Sequence, residues 1–267
     1  MAIAELASVD GRVTATREAT IALPDDGLYR GDGAFEVVRL YGGRPFTLAE
    51  HLDRIERSAA AIELPVDRPA LERELEALLA RVPGSDGQLR IVLTRAGRRI
   101  VLTEPLPTWG ETLTLATVTY SPNVILDGVK SISYAANMQA TRIAKRRGAD
   151  EALLVRPAGI VLEAPTSTIF WVTAEGRYRT PSLGSGILES ITRAKLIDEL
   201  DVEEGVFELG AVLAASESFL ASTTREVHGV ARIDETDFEA PGPFTRAAQE
   251  AFTRVVDAEL AAEAGAR

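Results

Sequence analysis

Cysteine is absent from the 267 residues. Disulfide frameworks, zinc–thiolate centres and thiolate nucleophiles are therefore excluded, and a reducing cytoplasm is the expected home. Histidine occurs twice, as His51 and His228. Neither stands with Asp or Glu at a metal-ligand spacing, and neither a GxSxG elbow nor a phosphate-binding GxxxxGK[ST] loop is present. A metal site and a Ser–His–Asp hydrolase are thus poorly supported. No apolar run approaches the roughly 20 residues of a membrane span. The opening stretch, MAIAELASVDGR, has neither a basic head nor a long apolar segment, so no secretion signal is expected. Basic charge is in deficit too: the formal net charge is -11, which argues against nucleic acid as a partner. Small anions stay possible, because local arginines can overrule the global field. Lysine is the scarcest cation. Of 29 cationic residues only Lys130, Lys145 and Lys195 are lysine.

What is there is ordinary for a globular chain: 46% hydrophobic and 26% charged residues, enough for one large or two modest domains. Residues 2–22 read as strand-like, and PDDGLYRGDG as a loop. AFEVVRLYGGRPF carries a Gly-Gly hairpin signal. TLAEHLDRIERSAAAIEL reads as a helix opened by a Thr47/Glu50 capping box and ended by Pro65. PALERELEALLARV reads as a second helix, with Pro69 in its first turn. Strands are expected at 88–95, 99–104 and 112–119, a connection at 121–128 and a helix near 136–147. Further strands follow near 151–155, 159–163 and 167–173, then a helix from about 189, strands at 216–222 and 226–233, and a closing helix over 243–262. The mixture is α+β in two parts. We expect a smaller N-terminal domain over 1–115, a linker over 116–125 and a larger C-terminal domain over 126–267.

Lys145 stands at a cationic helix end, where the helix dipole favours it. Lys195 lies four residues before Glu199 on one helix and suits a surface pair. Lys130 differs, with VILDGV before it and SISYAAN after it. Apolar surroundings lower an amine's pKa by desolvation, which a Schiff-base lysine needs; a lysine snorkelling from a strand end is the alternative. Glu163 ends the apolar run GIVLE, either as an edge carboxylate facing water or as a buried partner for a cation. GSGILESITR leads a glycine loop into a helix whose free N–H groups at Ser190, Ile191 and Thr192 could cradle a phosphate. Ser222, Thr223 and Thr224 form a hydroxyl cluster of the kind turns use. His51, at helical spacing, reads as structural.

In this order the segments GLYRGDGAFEVVRLYGGRPFTLAEHLDRIERSA, VKSISYAANMQATRIAKRRGADEALLV, GIVLEAPTSTIFWV, GILESITR and FLASTTREVHGV resemble the class IV aminotransferases. These fold-type IV pyridoxal 5'-phosphate enzymes include D-amino-acid and branched-chain aminotransferases and aminodeoxychorismate lyases. The resemblance spans roughly residues 25–234. It implies a two-domain α+β fold with a small N-terminal α/β domain. It implies pyridoxal phosphate held by Lys130, which also moves the substrate proton, with Glu163 at the ring nitrogen and Tyr134 near the ring oxygen. Arg54, the backbone N–H groups of Ile191 and Thr192, and Thr223 would bind the phosphate. Arg30, Arg90, Phe35 and Thr224 would face the substrate.

Three departures qualify the likeness. Arg30 stands where an aromatic residue is common. Thr168 stands where asparagine is usual. TRAGRRIVLTEP lacks the Arg-x-His pair of the best-known D-amino-acid enzymes. Arg30 and Arg90 together suit a dicarboxylate such as glutamate or 2-oxoglutarate; alternatively one of them pairs with a nearby Asp such as Asp32. STTREV and DGAFEVVRLYGGRPF look most like the D-amino-acid subgroup, and the branched-chain signatures YxRP and GGNY are missing. The implied function is transamination between an amino acid, D-glutamate or D-alanine foremost, and a 2-oxo acid. Aminodeoxychorismate lyase, which releases pyruvate in folate synthesis, and an L-branched-chain aminotransferase are the alternatives. The resemblance further implies a homodimer, with Tyr29 and Arg30 reaching across.

Overall fold

The computed structural model describes residues 3–265. The chain forms two compact units. The first comprises Met1–Pro107, Val129–Tyr134 and Glu259–Arg267, and the second Thr108–Gly128 and Ala135–Ala258. Lys130 thus belongs to the first unit, whereas the sequence had placed 126–267 in one C-terminal domain. The reason is backbone pairing of its segment with a strand of the first unit.

The first unit contains β1 (Leu6–Val9), β2 (Arg12–Ala15), α1 (Asp26–Arg30), β3 (Gly33–Tyr41), β4 (Arg44–Pro45), α2 (Leu48–Ala61), α3 (Arg68–Leu79), β5 (Gly87–Thr94) and β6 (Arg99–Glu104). The strands form one sheet in the order β2-β1-β6-β5-β3-β4, and each neighbouring pair is antiparallel. Alternation along β3 sends Ala34, Glu36, Val38 and Leu40 to one face, and all four are fully buried. Helix α2 turns His51, Leu52, Arg54, Ile55, Ser58 and Ala59 inward. Leu52, Ile55, Leu71, Leu75 and Leu78 of the two helices share a core with Val38, Leu89, Ile91 and Val101 of the sheet. The Asp67 carboxylate caps α3 by accepting the Ala70 N–H at 3.0 Å, with Pro69 in the first turn. The expected capping box of α2 does not form. Thr47 adopts a left-handed conformation (φ 50°) and makes no side-chain cap, because that backbone turn carries its hydroxyl away from the first helical N–H groups. The expected loop PDDGLYRGDG contains α1, a single turn capped by Asp25, which accepts the Gly27 N–H at 2.8 Å.

The second unit contains β7 (Leu113–Thr119), α4 (Ala135–Arg146), β8 (Glu151–Val155), β9 (Thr168–Val172), β10 (Tyr178–Pro181), α5 (Ile191–Glu199), β11 (Val202–Gly205), α6 (Leu209–Leu213), β12 (Glu217–Ser222), β13 (Glu226–Ile233), β14 (Thr236–Asp237) and most of α7 (Pro243–Gly265). Its mixed sheet runs β11-β10-β9-β12-β13-β7-β8, with β14 paired to β13. Residues 116–119, which the sequence had placed in a linker, lie inside β7, which pairs with β8 and β13. Every residue of β8, β9 and β12 is buried, which is why these segments read as apolar runs rather than alternations. One face packs Leu113, Leu115, Ile169, Trp171 and Leu220 together. The other packs Ala116, Val118 and Leu154 against Ala140 and Ala144 of α4. The expected strand at 159–163 reduces to isolated bridges, Val161 to Val155 and Ile160 to Glu208. β10, β11 and α6 carry too few periodic residues to be read from sequence. Among the described residues no helix is long and apolar enough to cross a membrane.

Candidate active site

Within the first unit the site begins at the glycines of RGDGAFE. Gly31 holds φ at +68°, and a Cβ there would meet the Ser133 hydroxyl at 2.8 Å. A Cβ on Gly33 would lie 2.2 Å from the Leu93 carbonyl oxygen. Only glycine lets the chain pass here, and the segment carrying Lys130 lies directly against it. Phe35 N–H donates to the Lys130 carbonyl and Ile132 N–H to the Gly33 carbonyl, both at 3.0 Å. The Lys130 N–H donates to Ser58 Oγ of α2 at 3.1 Å. Lys130 Nζ then lies 4.5 Å from the centre of the Phe35 ring, a cation–π distance. Phe35 in turn meets Tyr134 edge to face at 5.3 Å. Lys130, Phe35 and Tyr134 are therefore brought together.

Arg54 lies on the same face of α2, one turn before Ser58. It is 5% exposed. Its Nε and Nη2 donate to the two oxygens of Glu36 at 2.6 and 2.7 Å, and His51 Nδ1 meets the same carboxylate at 2.8 Å. Burial pushes the Glu36 carboxyl up, but the charge and hydrogen bonds of Arg54, helped by His51, outweigh it and hold the group at about 2. His51 is pushed down by burial, with Arg54 and Lys130 adding to that against the pull of Glu36. Because the Glu36 carboxylate only accepts, Nδ1–H is the donor in this contact. Sequence reading missed Glu36. The available signal was its parity: a charge between Ala34 and Val38 on the apolar face of a strand.

Arg30 and Arg90 are not alike. Arg30 sits at the end of α1 with its side chain 76% exposed, 3.6 Å from Asp26. Arg90 is gripped by Glu104, at 3.0 Å from Nη2. Asp32, the partner considered from sequence, is taken by Arg95 at 2.9 and 3.0 Å.

Within the second unit, Glu163 Oε1 accepts the Leu188 N–H at 3.2 Å, which ties it to the loop that leads into α5. Burial raises the Tyr120 hydroxyl's pKa, and the Glu163 charge raises it further. Ser190 caps α5 by accepting the Arg193 N–H at 3.3 Å. Ile191 and Thr192 occupy the first turn, both buried, and first-turn N–H groups have no partner inside the helix. Thr223 and Thr224 are half-buried in the tight connection between β12 and β13. The next residue, Arg225, turns away to Glu151 at 2.9 Å and lies over the Trp109 ring. Among the described residues no group of three or more His, Asp or Glu side chains is placed to hold a metal.

A family description, amino-transferase class IV, matches residues 33–233. The chain belongs to the class IV aminotransferases. This class IV chain is 31% identical over 253 residues to D-alanine aminotransferase of Listeria innocua, covering 85% of this chain and 86% of that one. It is 30% identical over 259 residues to aminodeoxychorismate lyase of Bacillus subtilis, covering 86% and 87%. Among solved structures, the branched-chain amino acid aminotransferase of Thermobaculum terrenum in its PLP form aligns with a TM-score of 0.84 at 25% identity, covering 97% of this chain and 96% of that one. The fold is that of fold-type IV transaminases, and the cofactor is pyridoxal phosphate. The donor types suit that group. The first unit holds a lysine against an aromatic ring and a buried guanidinium. The second holds a carboxylate and a helix start with free N–H groups.

Proposed function

We propose that this class IV aminotransferase acts on D-amino acids, D-glutamate and D-alanine foremost, with a 2-oxo acid such as 2-oxoglutarate as acceptor. The observation that carries the reading is Lys130. Its backbone is tied to β3 and to Ser58, and its ammonium lies over an aromatic ring. Pyridoxal phosphate, when bound, would supply an aldehyde that takes up an amine and a ring that accepts electrons. Lys130 would hold the cofactor, and its ε-amine, once free, would accept the proton from the substrate Cα and hand it on. Glu163 would keep the ring nitrogen protonated. Arg54, the first-turn N–H groups of Ile191 and Thr192, and Thr223 bind the phosphate, and Tyr134 bonds the ring oxygen. Phe35 walls the substrate, and Thr224 contributes a hydroxyl. Arg30 takes the substrate carboxylate, while Arg90 serves there only by leaving Glu104. The same reading gives a homodimer in the cytoplasm.

The D-preference is supported by STTREV and by the likeness to D-alanine aminotransferase. Aminodeoxychorismate lyase is the second reading, favoured by a likeness of the same size. A branched-chain L-aminotransferase is the third. The deciding measurement is the visible spectrum of the PLP-loaded protein before and after D-glutamate, D-alanine or L-glutamate. Loss of the lysine-bound band to the aminated cofactor with a D-amino acid only is the expected result. A band unmoved by D-amino acids, together with pyruvate release from aminodeoxychorismate, would move the lyase to the front. Bleaching by the L-amino acid alone would install the L-selective transaminase. Lys130→Ala should lose the band and cut turnover by a factor on the order of 10³.

A further inference from the structure

Glu36 is the most deeply committed charge in the first unit. It is fully buried on β3, and both its oxygens are taken. Oε1 accepts Arg54 Nε, and Oε2 accepts both Arg54 Nη2 and His51 Nδ1. The fork-on-fork pairing leaves the guanidinium plane one orientation. His51, also fully buried, locks the carboxylate in turn, while its Nε2 makes no hydrogen bond. Stability alone does not call for such a cluster. A buried ion pair contributes little over well-packed apolar groups of the same volume, and Ala34, Val38, Leu52 and Ile55 show that this space accepts them.

We propose that Glu36 is a positioning residue for the cofactor phosphate: it fixes the Arg54 guanidinium in advance, with His51 holding Glu36 in place. This rests on the reading of Arg54 as a phosphate ligand. An arginine side chain is flexible, and ordering it at the moment of binding weakens affinity; one ordered beforehand avoids that loss. Charge alone argues the other way. Glu36 neutralises Arg54, so removing its charge should strengthen attraction for a phosphate dianion. The sign of the change on substitution therefore decides between orientation and net charge.

The test titrates whole apo-protein with pyridoxal phosphate and with pyridoxal, which lacks the phosphate, following the visible band at Lys130 and the protein fluorescence. Inorganic phosphate is added separately in thermal-shift measurements. Glu36→Gln should weaken pyridoxal phosphate on the order of tenfold, by analogy with residues that orient other ligands, and leave pyridoxal unchanged. Glu36→Asp keeps the charge but shortens its reach, so orientation predicts weaker binding there too, whereas charge predicts none. His51→Asn should move the ratio of the two affinities in the same direction by less, and carries the test with Glu36→Asp if Glu36→Gln does not fold. An unchanged or tighter affinity for pyridoxal phosphate in the Glu36 variants overturns the proposal. Arg54→Met separates that from failure of the underlying reading. If Arg54→Met keeps the preference for pyridoxal phosphate over pyridoxal and the phosphate-induced shift, Arg54 is not the phosphate ligand and the proposal falls with it.

Discussion

Glu36 of β3 and His51 of α2 meet at 2.8 Å though fifteen positions apart in sequence, and their coupling has a pH signature. His51 is held neutral in the fold, its pKa lowered by burial, whereas in the unfolded chain it protonates near 6.5. The unfolded state therefore binds more protons below 6.5, and folding stability falls as pH drops through that value. The expected loss reaches up to about 1.4 kcal/mol per pH unit. Glu36 adds a second, lower window. Its carboxyl sits at about 2 against an ordinary 4.5, so its contribution is present above 4.5 and is lost as pH falls toward 2. Urea unfolding at pH 7.0, 6.0 and 5.5 should show the first slope in the parent chain and a flatter one in His51→Asn. Equal slopes in the two would mean that folding does not lower the His51 pKa. At this scale the sequence was partly legible. Lys130 stood out by scarcity and surroundings. The partner of Arg90 did not, because the β5–β6 register decides it: Arg90 lies opposite Leu102 and Gln88 opposite Glu104, which puts Glu104 on the diagonal within reach.

Among the elements, the start of α7 shows how one buried carboxylate organises a helix. Glu217, on β12 and 2% exposed, accepts the N–H of Phe244 at 3.0 Å, the N–H of Thr245 at 2.8 Å and the Thr245 hydroxyl at 2.7 Å. First-turn N–H groups otherwise lack partners, and the helix dipole favours a negative charge there. Glu217→Ala should cost about 2–4 kcal/mol, since it leaves buried donors unpaired. Glu217→Gln, which keeps one acceptor oxygen, should cost less. Denaturant midpoints measure both, and equal losses would show that the one acceptor oxygen kept by Gln does not serve these donors. Long periodic elements such as α2, α3 and α7 were legible from spacing. The α2 cap was not. Thr47 and Glu50 have the right identities, but the left-handed turn at Thr47, a backbone outcome, removes the geometry the motif needs.

At the scale of the whole molecule, the surplus of acidic residues and the proposed dimer bear on each other. Leu23, Leu28 and Tyr29 of the first unit are 66%, 50% and 63% exposed, beside the exposed Arg30. Such residues gain from being covered, and the dimer reading supplies the cover. Light scattering should give twice the chain mass, and Tyr29→Ala with Leu28→Ser should shift it toward the single chain. A single-chain mass for the parent protein would remove the dimer from the proposal. Salt should not abolish the association, because an apolar contact is not screened as a charge pair is.

The chain's composition and motif order determined the family and the cofactor and singled out Lys130, since scarcity, local apolar context and short motifs are written in consecutive residues. They also fixed which long segments are helices, because a period of 3.6 needs no distant partner. Tertiary structure alone decided the rest. It placed Lys130 in the first unit through bonds to β3 and Ser58, gave Asp32 to Arg95 and Glu104 to Arg90, and turned Glu36 toward Arg54. These are choices among equally charged partners far apart in sequence, and only strand register and the facing of one helix can make them.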